Sequence, residues 1–125
     1  MKNFSTAWKS STKPKKQRKY RINAVLHIKQ KFLHSHLSKE LRKKYGKRST
    51  SVRKGDKVKI MRGRFKKHEG KVEMVDLKNT RVFVNGAEST KKDGTKISLA
   101  LNPSNLMITE LNFEDKSRQK AIEGK

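Results

Sequence analysis

The side chains of this sequence best suited to chemistry are cations, and they fall into clusters. Arg62, Arg64, Lys66, Lys67 and His68 lie between Met61 and Gly70, with Gly63 among them, so a tight loop would display a row of positive charge. Lys71 follows directly. A second group, Arg42, Lys43, Lys44, Lys47 and Arg48, runs on into Arg53 and Lys54. A third, Lys13, Lys15, Lys16, Arg18, Lys19 and Arg21, follows Lys9 in a stretch of Ser, Thr and Pro14. The chemistry such clusters perform is neutralisation of a polyanion, and a chain of phosphates is the ligand that fits them.

Nothing comparable is assembled for catalysis. The acids Asp56, Glu69, Glu73, Asp76 and Glu88 are scattered through a region too small for a useful cleft. Neither a Gly-rich phosphate loop with its lysine nor a nucleophile elbow occurs. His34 and His36, two apart on a segment read as helical, would diverge and could not chelate one ion. The absence of cysteine excludes disulfides and thiolate metal sites and fits a reducing cytosol. The expectation is a protein that is not an enzyme and holds no metal and no cofactor.

The charge is unevenly placed. Of the 34 basic and 11 acidic residues, residues 1–54 hold 18 basic residues against Glu40 alone, a balance of +17, whereas residues 55–125 balance at +6. The first half repels itself unless counter-charge surrounds it, while the second has the mixed surface of an ordinary fold. An apolar fraction of 31% is well under that of globular domains, so part of the chain is expected to lean on a partner. No apolar run approaches the roughly 18 residues of a membrane span, and Met1 to Ser5 lead into basic and polar residues instead of a secretory signal. No membrane partner is expected.

These cations need elements to position them. Residues 1–22 read as a basic extended tail with little to bury, and 23–50 as two short basic helices. The first spans about 24–36 on the spacing of Val25, Ile28 and Phe32, widened by Leu26 and Leu33. In the second, Ser38 is the N-cap, Glu40 sits near the positive end and Gly46 closes the helix. From residue 55 the period becomes two, giving strands around Val58–Ile60, Val72–Met74 and Val82–Val84. Asp93-Gly94 marks a tight hairpin turn, and Asn102-Pro103-Ser104-Asn105 breaks the chain before a last strand, 106–111. Short strands over about 60 residues favour one curved sheet closing into a small barrel over 51–112. Residues 113–125 read as a short, weakly held helix and tail. Phe32, Phe83 and Phe113 are expected in the core; Phe4, Trp8 and Tyr20, set among cations, are candidates for stacking on unpaired bases.

The run Val52-Arg53-Lys54-Gly55-Asp56-Lys57-Val58-Lys59-Ile60-Met61-Arg62-Gly63, continued by Lys66, His68-Glu69-Gly70-Lys71-Val72 and Val75, resembles the KOW motif. Its glycines read as structural turns: Gly55 launches a strand, Gly63 bends out of it, and Gly70 starts the return where a side chain would collide or φ is positive. With Leu37-Ser38-Lys39-Glu40-Leu41-Arg42-Lys43-Lys44-Tyr45-Gly46 before it, Lys15-Lys16-Gln17-Arg18-Lys19 upstream and Pro103-Ser104-Asn105 before the last strand, residues 13–122 resemble a large-subunit ribosomal protein family. That family is the archaeal and eukaryotic form of protein twenty-four, twenty-six in eukaryotic naming. The resemblance implies a mostly β fold: a small SH3-like barrel with a basic, partly helical N-terminal extension and a short C-terminal helix. It also implies binding to the first domain of large-subunit rRNA near the polypeptide exit, early in assembly, in the cytoplasmic ribosome. Neighbouring ribosomal proteins, and nascent-chain or exit-site factors, would be its other partners. The alternative is a KOW-containing transcription or translation elongation factor. Three positions depart from the family pattern: Lys67 stands where a glycine is usual, Ser51 where proline is, and Asn102 where histidine is.

Overall fold

The computed structural model describes residues 4, 5, 7 and 10–123; Trp8 and Lys9 lie outside them. The segment read as an extended tail contains a helix, α1 (Pro14–Asn23), with Pro14 in its first turn where a missing N–H costs nothing. Lys, Gln and Arg are good helix formers, so the backbone coils although α1 has no buried residue. An aromatic chain anchors it: Phe4 and Tyr20 lie 5.0 Å apart between ring centroids, and Tyr20 meets Phe32 edge-on at 6.2 Å.

The helix expected over 24–36 stops early. Helix α2 covers Leu26–Phe32, and the chain then extends as β1 (His34–Leu37). Ser35 and Leu37 point inward from β1 while His34 is exposed, a period of two that the apolar content of the segment disguises. Helix α3 (Lys39–Tyr45) matches its sequence signals: Ser38 Oγ accepts from the Leu41 amide, and Gly46, at φ +67°, donates its own amide to the Arg42 carbonyl. Strand β2 (Ser49–Ser51) is three polar residues with no strand signature in the sequence.

The remaining strands are β3 (Lys57–Ile60), β4 (Glu69–Asp76), β5 (Arg81–Val84), β6 (Glu88–Thr90), β7 (Lys96–Ser98) and β8 (Leu106–Glu110). Six of the eight strands form one mixed sheet in the order β2-β1-β8-β3-β4-β5, and β6 and β7 pair as a separate hairpin. Asp93-Gly94 lies inside a five-residue loop between Thr90 and Lys96, not in a two-residue turn. The expected barrel is not closed by strand ladders: on the edge away from β4, β5 meets an isolated bridge at Val82↔Leu101, and the 3-10 turn Pro103–Asn105 carries the chain from there to β8. What the described residues form is a small β-rich fold with four helices.

Leu37, Val52, Val58, Ile60, Val72, Val82, Val84, Leu106 and Ile108 fill the core, and in β1, β3, β5 and β8 the buried side chains alternate with outward ones. Phe32, Phe83 and Phe113 are not in it, contrary to expectation; each keeps part of its ring at the surface. Phe83 falls between Val82 and Val84 and so lies on the opposite face, beside Met74, which is 52% exposed.

The C-terminal helix α4 (Lys116–Ile122), expected to be weakly held, is pinned through a buried ion pair. Asp56, fully buried, takes both Arg118 terminal nitrogens, Nη1 at 2.5 Å and Nη2 at 2.6 Å. The same carboxylate accepts the amides of Arg53 (3.0 Å) and Asn112 (2.9 Å). Arg118 also donates to the carbonyls of Asn112 (2.9 Å) and Ser51 (3.0 Å). On the surface Arg53 pairs in turn with Asp115, the N-cap of α4, and holds its carboxyl below the usual range, with help from the Ser117 amide. The φ of +93° at Gly55 suits a glycine beside this knot, and a Cβ there would lie 2.3 Å from Asn112 Nδ2 and push that side chain aside.

Lys67 adopts φ +74°, the left-handed region. Its amide donates to the Ile60 carbonyl (2.8 Å), closing the β3–β4 loop, and the chain accepts the strain.

Removing one partner of a buried pair leaves the other charge stranded, so Arg118→Met is expected to cost about 3–5 kcal/mol, read as a fall in the urea midpoint of the free protein. An unchanged midpoint would show that α4 does not clamp the fold. Lys67→Gly relieves about 1–2 kcal/mol of strain against about 0.5–1 kcal/mol of added unfolded-state entropy, so the same assay should show a modest gain; a loss would mean the loop is not strained at this residue.

Candidate nucleic-acid interface

The predicted cations occupy three surfaces. Lys13 is the N-cap of α1, and Lys15, Lys16, Arg18, Lys19 and Arg21 are exposed along it. Spacings of three and four put Arg18, Arg21 and Ile22 on one side of the helix. Arg21 is fixed further by stacking, its guanidinium carbon 5.2 Å from the centre of the Phe32 ring. Phe4 and Tyr20, candidates for base stacking, are engaged with each other, and Tyr20 with Phe32 as well.

Around α3, Lys43 and Lys44 are exposed in the last turn and Arg42 is half-buried. Arg48 is exposed, while Lys47 donates to the Ala121 carbonyl and so ties α3 to α4. His36 on β1 faces this group: burial first, then Arg42 and Arg48, pushes its pKa below the ordinary value. Partial desolvation lowers the pKa of His34 as well, although its side chain stays largely at the surface. On a strand the two histidines share a face, so the helical reason for excluding a shared ion does not hold. Among the described residues no group of three or more His, Cys, Asp or Glu could hold a metal ion.

The β3–β4 loop presents Arg62, Arg64, Lys66 and Lys67 to solvent. Lys66 N donates to Gly63 O (3.2 Å) and His68 N to Phe65 O (2.9 Å), so two successive turns hold the row in place. Phe65 packs against the core and the Arg64 guanidinium lies over its ring. His68, grouped by sequence with these cations, turns inward: its Nε2 is 2.9 Å from the Asn85 carbonyl, and Gly86 leaves space for the ring. Gly70 is the glycine of collision, since a Cβ would meet Asn85 O at 2.6 Å. Gly63, at φ +95°, makes the bend expected of it. Arg53 and Lys54 are exposed in the turn before β3, where Arg53 is shared with Asp115. Lys71 stands directly across from Lys57, a like-charge pair relieved by Glu110 on the other side of Lys57 (3.5 Å).

Lys29, Lys78 and Arg81 have no place among the contacts expected from the sequence. With Arg18 and Arg21 they line one cleft of about 430 Å³ between the helices and the β4–β5 turn. Helical spacing could place Arg18 and Arg21 together, but no local signal in the sequence ties them to a turn so far along the chain.

The chain matches the family model described as ribosomal proteins L26 of eukaryotes together with their archaeal counterparts, numbered twenty-four, over residues 11–125, a span that takes in α1 and every strand. It is 51% identical over 116 residues to the large ribosomal subunit protein uL24 of Methanocorpusculum labreanum, covering 93% of this chain and 96% of that one. To the large ribosomal subunit protein uL24 of Methanothrix thermoacetophila it is 50% identical over 110 residues, covering 88% and 95%. The chain therefore belongs to the ribosomal protein family that comprises eukaryotic L26 and its archaeal counterpart, protein twenty-four of the large subunit.

Proposed function

We propose that this protein binds large-subunit rRNA through charge and shape, with helix α1 and the β3–β4 loop neutralising phosphates and the sheet holding the two in fixed relation. As a family member it is a structural component of the cytoplasmic ribosome and not an enzyme. The observation that carries the RNA reading is the division of labour among charges. The buried and capping acids Asp56 and Asp115 are consumed by Arg118 and Arg53 inside the fold, while α1 and the loop display their cations on the surface. RNA helices offer proteins shape and backbone more readily than base edges, which suits a surface of lysine and arginine.

The RNA-contacting set in this reading is Lys13, Lys15, Lys16, Arg18, Lys19 and Arg21 on α1; Arg42, Lys43, Lys44, Lys47 and Arg48 around α3; and Arg53, Lys54, Arg62, Arg64, Lys66, Lys67 and Lys71. His68 is left out because its ring is spent on the Asn85 carbonyl. The curved sheet is read as an SH3-like barrel whose last side is completed by the Val82↔Leu101 bridge and the 3-10 turn. Docking on the first domain of the rRNA near the polypeptide exit, early in assembly, is the placement the family resemblance favours. Neighbouring ribosomal proteins and exit-site factors would then be its protein partners. An elongation-factor role is disfavoured because the family match runs through the basic extension from residue 11 onward as well as the KOW segment.

The affinity of the full chain for deproteinised large-subunit rRNA should fall with salt at a log–log slope of about −0.7 to −0.9 per phosphate engaged, hence steeply if roughly ten are neutralised. Near salt-independence would sink the proposal. Deleting residues 1–21 should flatten that slope yet leave amide protection in β3 and β8 intact, because α1 buries none of its residues. Loss of protection in those strands would instead make the extension part of the folding unit.

A further inference from the structure

The cleft between α1, α2 and the β4–β5 turn is built for an anion. Arg18 and Arg21 from α1, Lys29 from α2, Lys78 from the turn and Arg81 at the start of β5 all line it, and among the described residues no carboxylate does. Asp76, at the end of β4 and across the ladder from Arg81, is not among the lining residues: its oxygens accept from Asn79 Nδ2 (2.9 Å) and the Asn79 amide (3.2 Å), and these bonds, with a smaller attraction to Lys78, hold its pKa below the usual range. Five cations line the cleft, and the acid beside it, Asp76, is engaged mainly with Asn79.

Two of the cations are held in place before any ligand arrives. Lys29 Nζ donates to the Lys78 carbonyl at 3.0 Å, a bond spanning 49 residues that fixes the α2 wall to the turn and leaves two ammonium protons for a ligand. Arg21 lies over the Phe32 ring, which spends the face of the guanidinium and leaves its N–H edge available. The turn itself is set by Thr80 at φ +52°, with its hydroxyl donating to the Asn79 carbonyl at 2.7 Å. Such fixed donors lose little entropy on binding.

We propose that this cleft is a phosphodiester-binding groove that takes one RNA backbone segment between α1 and the β4–β5 turn, with Lys29, Lys78 and Arg81 as contacts alongside Arg18 and Arg21. It rests on the RNA-binding reading above and adds a second wall to it. The extension does not simply lie along RNA; α1 and the body of the fold grip the same strand from two sides. A carboxylate-rich peptide is the competing ligand, but an open groove with cations on both walls suits the continuous charge of a phosphate chain better.

The test uses the full chain and deproteinised large-subunit rRNA, comparing the wild type with Lys78→Ala/Arg81→Ala. The double variant should flatten the salt slope by about 0.7 to 0.9 for each cation removed and weaken binding most at low salt. Because the sequence has no cysteine, Ile22→Cys, at an exposed position on the cleft, can carry a photo-crosslinker. It should crosslink to RNA in the otherwise wild-type chain and lose most of that yield in the double variant. A steep wild-type slope that the double variant leaves unchanged overturns the groove while sparing the RNA-binding function. A flat wild-type slope overturns both. Loss of poly-glutamate binding with RNA binding intact would reassign the cleft to an acidic peptide and overturn the proposal.

Discussion

The bidentate pair between Asp56 and Arg118 is the contact on which the rest of the molecule depends. A charge pair removed from water is costly unless most of its remaining lone pairs and protons find partners, and here the carboxylate collects two backbone amides and the guanidinium two carbonyls besides, leaving Arg118 Nε as its one buried nitrogen without a partner. Those partners belong to the turn before β3, the end of β2, the segment after β8 and helix α4. One knot therefore fixes four parts of the chain that share little apolar surface. In a domain with so small a core, such a polar centre determines which arrangement is adopted as well as how stable it is.

The same knot bears on the cationic surface. A sheet carrying so large an excess of lysine and arginine would be pushed apart by its own charge were it not tied internally. The tie uses some of the few acids available: Asp56 within the core, Asp115 against Arg53, and Glu110 against Lys57. The remaining cations stay on the surface, where bound RNA relieves their repulsion and adds stability in proportion to its binding. The loop strain at Lys67 belongs to the same trade, since a lysine at a left-handed position costs stability and places one more charge in the row.

Much of this is legible in the residues, for identifiable reasons. Helix α3 carries its signals locally, in Ser38 and Gly46, and the valines of β3, β4 and β5 alternate plainly. Strands β1 and β2 escape a reading of the sequence because Ser35, Ser49 and Thr50 have no apolar signature; they are strands only because β8 and each other offer hydrogen bonds. The helicity of α1 is hidden because its charge density suggests an extended chain, while the aromatic contacts that hold it come from Phe4 and Phe32 at a distance. Of the interface, the clusters on α1, α3 and the loop can be read from spacing. The inward turn of His68, the burial of Arg118 and the cleft with Lys78 and Arg81 cannot, since each depends on a partner far along the chain.

Strand β8 lies between β1 and β3, pairing with the first in parallel and the second antiparallel, and Arg118 follows it by only a few residues. His36 and Met107 are thus neighbours in the sheet although most of the chain separates them. During synthesis the basic first half, with its helices, leaves the ribosome without the strand that joins it to the rest. The sheet cannot be completed, nor Asp56 paired, until β8 and Arg118 have been made. A centre strand that arrives after both of its neighbours leaves the most charged half of the fold without its partner strand while β8 is still to be made.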